Sequence, residues 1–217
     1  IASWIVRDVD HESKEDCLWG TLTGTRPIKF LQKQRHLLGD EKTKQYLIDE
    51  YLLSPYIANL LMDIALLESE KTDELNGKGY SLYIHIPFCP TRCDYCSYPT
   101  IRSDNTNAVN LYMDYLLKEL DFVLNESTED PTTIYIGGGT PTSIPKDQLK
   151  KLLDRLAHLS PEEFTLEAGR PETIDEELLV MLNKYPVTRI SINPQTMVDE
   201  TLEQVKRPHK KEDIKRA

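Results

Sequence analysis

The feature that most constrains the fold is an alternation of short β-rich and longer helical segments, which begins at Tyr80 and continues to the end of the chain. Runs of β-branched and aromatic residues predict strands, and apolar residues spaced three and four apart predict helices. The predicted strands are 81–86, 133–136, 164–168 and 188–192, and the predicted helices are 111–124, 146–159, 174–183 and one that begins at Asp199. Strands and helices that alternate in this way form a parallel sheet with right-handed crossovers. We therefore predict an α/β fold with four consecutive βα units.

The residues before Tyr80 follow another pattern, which predicts a small, mostly helical appendage that ends in a linker. Ser54 and Pro55 are an N-cap residue and a first-turn residue of the types that begin helices. The apolar residues behind them have the spacing of one helical face: Ile57, Leu60, Leu61, Ile64 and Ala65. Residues 71–79 contain Asp, Asn and Gly, which break the pattern and indicate the linker. We therefore predict two parts, 1–79 and 80–217.

The longest predicted helix of the second part, 111–124, carries a stripe of apolar and aromatic residues. Its members are Leu111, Tyr115, Leu116 and Leu120. Because residues three and four apart share one side of a helix, this stripe is predicted to pack against the sheet.

The chemically distinctive residues all follow the ends of predicted strands. Three cysteines follow the first strand, three glycines follow the second, Glu167 ends the third, and Gln195 follows the fourth. In a parallel β/α barrel, functional groups collect at the C-terminal ends of the strands. Four strands do not close a barrel. Either the sheet is open, or further strands lie beyond Ala217.

The cysteine spacing Cys89-x-x-x-Cys93-x-x-Cys96 predicts a metal site. Three soft thiolates on one loop suit iron–sulfur or zinc, and one metal position is left without a nearby thiolate. The alternative is a zinc site completed by His85 or a remote ligand, although structural zinc usually takes paired two-cysteine spacings. Cys17 stands far from the other three and is interpreted as a buried or idle thiol.

The glycine run Gly137-Gly138-Gly139-Thr140-Pro141-Thr142 follows the second predicted strand. Glycine permits positive φ and close approach of the backbone. We expect such a turn to expose N–H groups to an anionic ligand. The alternative interpretation is an ordinary tight turn.

Composition excludes several other classes of protein. A hydrophobic content of 39% and a charged content of 29% are typical of a soluble globular protein. The net charge of -10 argues against binding of nucleic-acid backbones, which draws on clustered Lys and Arg. No apolar run approaches the roughly 20 residues that a membrane-spanning helix needs, and the start lacks a signal-like segment. We expect a cytoplasmic protein, and the absence of an initiating Met favours an origin inside a longer chain.

The run Tyr83-Ile-His-Ile-Pro-Phe-Cys89-Pro-Thr-Arg-Cys93-Asp-Tyr95-Cys96 closely resembles the radical S-adenosylmethionine (SAM) superfamily. Within it, the resemblance is to the oxygen-independent coproporphyrinogen III oxidases, or dehydrogenases, and their haem-chaperone relatives. It extends from Leu82 to about His209. The resemblance implies a partial (β/α) barrel of the radical SAM type.

The same resemblance implies two cofactors, a [4Fe–4S] cluster and SAM. Cys89, Cys93 and Cys96 would ligate three irons, and the amino and carboxylate groups of SAM would chelate the fourth. The residues assigned to SAM by the resemblance are Tyr83, Tyr95, Gly138, Gly139, Thr140, Glu167, Gln195 and Arg207.

Four of these assignments have a simpler alternative. Tyr95 would pack against the adenine and Tyr83 would contribute to the SAM site, but either tyrosine could instead belong to the core. Glu167 would bind SAM, or form a salt bridge at the end of its strand. Gln195 and Arg207 would face the SAM region or a second SAM molecule, and the alternative for Arg207 is a solvated helix end.

The implied activity is the oxygen-independent conversion of two propionate side chains of coproporphyrinogen III to vinyl groups, which gives protoporphyrinogen IX. The implied chemistry begins with electron transfer from the reduced cluster to the sulfonium of SAM, so an electron donor is an expected partner. The resulting radical would abstract hydrogen from a propionate, which would then lose CO₂ and an electron. No residue is assigned as a general acid or base.

Two features bear on the subgroup. Tyr98 occupies the position at which the best-known dehydrogenases have a further cysteine, and the haem chaperones also lack it. The N-terminal segment with Thr23-Gly-Thr-Arg-Pro27 and the helices behind it favour a coproporphyrinogen dehydrogenase-like subgroup. A haem-transfer chaperone is the main alternative, and a zinc-binding interaction module is a distant one.

Overall fold

The structure is a computed structural model that describes residues 18–22, 26–75 and 79–217, with side chains left undescribed in 71–75. The chain divides between Gly77 and Lys78 into two compact units. Cys17 and residues 23–25 of the Thr-Gly-Thr-Arg-Pro segment lie outside the described residues.

The first unit is built from helices whose ends are set by local backbone geometry. Gly39 has φ 79° and separates the first two helices, and Leu52 adopts the left-handed conformation that ends the second. Ser54 Oγ accepts a hydrogen bond from the backbone N–H of Ile57 at 3.3 Å, as an N-cap residue does. The helices are α1 (Pro27–Leu38), α2 (Asp40–Tyr51) and α3 (Pro55–Leu75).

The buried face of α3 differs from the predicted one at three positions. Ala58 and Met62 are buried, whereas Leu60 is exposed. The predicted linker also begins too early, because α3 continues to Leu75. The side chains at the centre of this unit are Leu22, Leu31, Leu47, Leu53, Ile57, Leu61 and Ala65.

The second unit contains the predicted parallel sheet. Its strands are β1 (Tyr80–Ile86), β2 (Phe88–Cys89), β3 (Ile101–Arg102), β4 (Pro131–Gly138), β5 (Glu163–Glu167) and β6 (Arg189–Ser191). The four main strands are parallel in the order β1-β4-β5-β6, and β2 and β3 form a separate short parallel pair. The prediction of an α/β fold with a parallel sheet is confirmed.

Three helices connect the main strands and pack their apolar residues with those of the sheet: α4 (Thr106–Glu126), α5 (Lys146–Leu156) and α6 (Glu176–Leu182). Two short helices follow β6, α7 (Asp199–Gln204) and α8 (Lys211–Arg216). Asn105 and Asp175 cap α4 and α6, because their side-chain oxygens accept the N–H groups of Ala108 at 3.2 Å and of Leu178 at 2.8 Å.

The predicted packing stripe of α4 is wrong for two of its members. Leu111 and Tyr115 are exposed, and the buried face consists of Val109, Met113, Leu117 and Leu120. Both sets of residues have helical spacing, so the periodicity does not distinguish the face that meets the sheet.

Alternation along the strands divides the sheet into two faces. Ile84, Ile136 and Leu166 lie in the core with the helices. Tyr83 and Tyr135 are register partners on the opposite face. This second face and the C-terminal ends of the strands position the site described below. Among the described residues, no helix is both long and apolar enough to cross a membrane.

Candidate functional site

A cavity of about 240 Å³ lies at the C-terminal ends of the strands. Every residue that the sequence assigned to the site lines it: Tyr83, Cys89, Cys93, Tyr95, Cys96, Gly138, Gly139, Thr140, Glu167, Gln195 and Arg207. Several other lining residues were not identified from the sequence, among them Thr91, Asn193 and Arg170. Residues from four strands and their loops therefore meet at one edge of the sheet.

The cysteine loop begins at the end of β2 and is closed by backbone hydrogen bonds. The N–H of Cys96 donates to the carbonyl of Cys93 at 3.1 Å. The N–H of Ser103 donates to the carbonyl of Cys89 at 2.9 Å, so β3 holds the base of the loop. All three thiols are free.

The three sulfurs have different surroundings. Cys93 is only 7% exposed, and its Sγ accepts a hydrogen bond from Nη2 of Arg170 at 3.2 Å. Cys89 Sγ lies 3.5 Å from Oγ1 of Thr140. Burial raises the pKa of the Cys89 thiol, although the Thr140 hydroxyl and the Arg170 charge act in the opposite direction.

The three thiols and the cavity fit an iron–sulfur cluster. They are free, share one short loop and line one cavity, and the rest of that cavity carries a carboxylate and an arginine. Within the described residues, the thiols do not form part of a group of three or more His, Cys, Asp or Glu side chains that could hold a metal ion, so their fit to a cluster rests on the shared loop and cavity.

The expectation that the glycine run offers free N–H groups to an anion is wrong. The N–H of Gly139 donates to the carbonyl of Ile86 at 2.8 Å, and that of Thr140 donates to the carbonyl of Phe88 at 2.7 Å. The N–H of Gly138 donates to Oε2 of Glu167 at 3.2 Å. These three N–H groups therefore link the end of β4 to β1, β2 and Glu167.

The glycines instead permit close contact between backbone segments. A Cβ atom on Gly139 would lie 2.5 Å from the carbonyl oxygen of Phe88, which is too close for any side chain. Gly138 has φ 111°, a conformation that L side chains rarely adopt. The turn can therefore lie directly against the start of the cysteine loop.

Glu167 is held by two donors. Oε1 accepts a short hydrogen bond from the Tyr135 hydroxyl, and Oε2 accepts the N–H of Gly138. These partners are a phenol and an amide, in contrast to the salt bridge that was the alternative for Glu167. The ring of Tyr83 stacks on that of Tyr135 with centroids 5.8 Å apart.

Tyr135 was not recognised from the sequence. It precedes Gly137 by two residues and so lies on the same face of β4, which is the pattern that could have identified it. Burial and the Glu167 carboxylate raise the pKa of Tyr135 to about 12. The phenol therefore stays protonated at neutral pH and remains a hydrogen-bond donor.

Arg207 is not a solvated helix end. It is only 7% exposed, and Nη1 donates to the carbonyls of Gly169 at 2.8 Å and Asn193 at 3.0 Å. Nη2 donates to the hydroxyl of Tyr95 at 3.1 Å. Half of the Tyr95 side chain remains exposed, so the contact holds the ring while a surface stays open to the cavity. Gln195 adopts a positive φ of 68° beside it.

Comparisons with known proteins identify a family and several relatives of this chain. The model of the Radical SAM superfamily matches residues 83–217. The chain is 37% identical over 203 residues to the oxygen-independent coproporphyrinogen-III oxidase-like protein HemZ of Bacillus subtilis, which covers 88% of this chain and 40% of that protein. It is 39% identical over 140 residues to the heme chaperone HemW of the same organism, which covers 62% of this chain and 36% of that protein.

A solved structure is also similar. Coproporphyrinogen III oxidase (HemN) from Escherichia coli, a radical SAM enzyme, matches with a TM-score of 0.57 and 27% identity. The match covers 63% of this chain and 32% of that one. The chain thus spans 40% or less of the length of these relatives.

Proposed function

The chain belongs to the radical SAM superfamily, and we propose that the protein catalyses the oxygen-independent oxidative decarboxylation of coproporphyrinogen III propionates to vinyl groups. Its cofactors are a [4Fe–4S] cluster and SAM. One observation carries the choice of activity. The 203 matched residues of the oxidase-like relative exceed the length of the second unit, Lys78–Ala217, and so extend into the first, whereas the chaperone match spans 140 residues.

In this proposal, Cys89, Cys93 and Cys96 hold the cluster, and SAM occupies the cavity beside them. When bound, the cluster and SAM would supply a 5′-deoxyadenosyl radical to take a hydrogen atom from a propionate, and loss of CO₂ and of one electron to an external acceptor would leave the vinyl group. The protein's own residues bind and orient SAM and keep water away from it.

The side chains around the cavity have separate tasks in this proposal. Glu167, fixed by Tyr135 and Gly138, accepts hydrogen bonds from SAM. Tyr95, fixed by Arg207, offers an exposed ring face for the adenine. Both groups are held in place before SAM binds, which reduces the entropy lost on binding.

A haem-transfer chaperone is the second candidate. Heme chaperones from Bacillus subtilis and Escherichia coli match this chain over 140 and 142 aligned residues, respectively. Like these chaperones, by the family resemblance, the chain lacks the further cysteine of the best-known dehydrogenases and has Tyr98 at that position. Such a protein would retain the cluster and the SAM site but bind haem as cargo.

The activity is tested with the full-length protein under anaerobic conditions, supplied with SAM, a chemical reductant and coproporphyrinogen III. We expect 5′-deoxyadenosine to form faster with the tetrapyrrole than without it, and mass spectrometry to detect vinyl-bearing product. A Cys93→Ala variant, which should lack the cluster, is the negative control. Deoxyadenosine formation that ignores the tetrapyrrole, together with stoichiometric haem binding, would refute the dehydrogenase and support the chaperone.

Replacing Tyr135 by Phe tests the support of Glu167. The variant loses one hydrogen bond to a carboxylate, which is worth about 1.5 kcal/mol or more, so we expect SAM to bind about tenfold more weakly. The affinity is measured by titrating SAM into the reduced protein and following the EPR spectrum of the cluster. Iron content should not change, because Tyr135 does not touch the cysteines. An unaltered SAM affinity would show that the Tyr135 hydrogen bond has no part in SAM binding.

A further inference from the structure

Arg170 is a buried cation that the proposed reaction does not use. It lies three residues beyond Glu167, at the end of β5, and its side chain is 2% exposed. A charged group is rarely buried unless it is paired, because removing it from water costs several kcal/mol or more. The contacts of Arg170 should therefore explain its burial.

Most of these contacts are to the cysteine loop. Nη2 of Arg170 donates to the carbonyl oxygen of Thr91 at 2.8 Å, to its Oγ1 at 2.9 Å and to Sγ of Cys93 at 3.2 Å. One nitrogen thus reaches the middle of the loop, between the first and second cysteines. Arg207, the other buried arginine of the cavity, contacts Tyr95 and two carbonyls instead.

A carboxylate lies behind the guanidinium but pairs with it only loosely. Oε1 of Glu172 is 3.6 Å from Nη1 of Arg170, and Oε2 is 3.4 Å from Nδ1 of His209. The Arg170–Glu172 distance allows charge attraction, but neither Nη1 of Arg170 nor the His209 ring has a hydrogen-bond partner among the described residues. The positive charge of Arg170 is therefore incompletely compensated on the side away from the loop.

A cation that donates a hydrogen bond to a ligating sulfur changes the electronic properties of a cluster. Reduction adds negative charge to the cluster, and both a nearby positive charge and an N–H···S hydrogen bond stabilise that charge. The effect is large where the surroundings exclude water, as they do at Cys93.

We propose that Arg170 is a positioning residue for the cluster. Its side chain holds the cysteine loop through Thr91 and Cys93 and raises the reduction potential of the cluster. The carboxylate of Glu172 partly offsets the Arg170 charge and so limits that rise. This inference rests on the ligation of the cluster by Cys93 but not on the choice between dehydrogenase and chaperone. It assigns to Arg170 a role separate from SAM binding.

The test is a potentiometric titration of the reconstituted full-length protein, followed by the EPR signal of the reduced cluster. Arg170→Met, which removes both the charge and the hydrogen bonds, should move the midpoint potential to a more negative value. Arg170→Lys keeps the charge and should fall between Met and wild type. Arg189→Gln is the matched control, since Arg189 is an exposed arginine paired with Glu163 at the far end of the sheet. Its potential should equal that of wild type.

Glu172→Gln provides a second test that leaves the loop contacts in place. It removes a negative charge behind Arg170, so the potential should move to a less negative value. If Arg170→Met fails to fold or to hold iron, Arg170→Lys and Glu172→Gln decide the matter. Variants that retain iron and titrate at the wild-type potential would overturn the role of Arg170 alone, whereas a wild-type protein without iron would overturn the cysteine assignment as well.

Discussion

Alanine at any one of Cys89, Cys93 and Cys96 is expected to remove the cluster from anaerobically reconstituted protein. Wild type should hold about four irons per chain with three thiolate ligands. Among the residues that the structure describes, these three are the only cysteines, so none of them is spare to replace a lost ligand. Cys93 should be the most sensitive, because its sulfur is buried and already receives a hydrogen bond. Iron and sulfide analysis, together with the visible absorbance of the cluster, measures the effect.

Cys17→Ala is the matched control for these variants, as the remaining cysteine of the chain stands far from the loop in sequence. It should retain the iron content of wild type. Stoichiometric zinc without iron in wild-type protein purified anaerobically would contradict the cluster and favour the zinc-binding interpretation.

The second large effect is expected at the SAM site, from Glu167→Ala and Gly138→Val. The alanine removes the proposed acceptor for SAM and leaves the Tyr135 hydroxyl without its partner. The valine must adopt φ 111°, with its Cβ 2.5 Å from Nδ1 of His85 in the present geometry. Each change should weaken SAM binding by at least about tenfold, since one hydrogen bond to a charged group contributes about 1.5–3 kcal/mol.

Binding is measured as the change that SAM produces in the EPR spectrum of the reduced cluster, with iron content determined in parallel. Glu163→Ala is a matched control, because Glu163 begins the same strand that Glu167 ends and pairs with the exposed Arg189. It should bind SAM as wild type does. If Glu167→Ala and Gly138→Val also bind SAM normally, the assignment of these two positions is wrong.

Local sequence was sufficient to predict the order of the secondary structure and the place of the site. The alternation from Tyr80 onward implied a parallel sheet, and parallel strands bring their C-terminal ends to one edge. The sequence therefore predicts that the cysteines, the glycine run and Glu167 lie at one edge of the sheet. Their joint lining of the cavity at that edge agrees with this prediction.

Only the tertiary structure shows which of two possible faces of a helix packs against the core. On α4, Leu111 and Tyr115 have helical spacing, as do Val109 and Met113, but only the second pair is buried. Periodicity determines which residues share a face and not what that face meets. The N–H groups of the glycine turn illustrate the same limit, because their acceptors belong to β1, β2 and Glu167.

The sequence by itself was sufficient to predict the fold class and the candidate ligand types, because both follow from residue identity and spacing along a short stretch of chain. Only the tertiary structure revealed the supporting residues Tyr135 and Arg170. Arg170 contacts Thr91 across 79 positions of the chain, and Tyr135 contacts Glu167 across 32. The sequence on either side of such a buried arginine does not distinguish it from a solvated one. Its burial depends on partners that the parallel sheet brings together from distant segments.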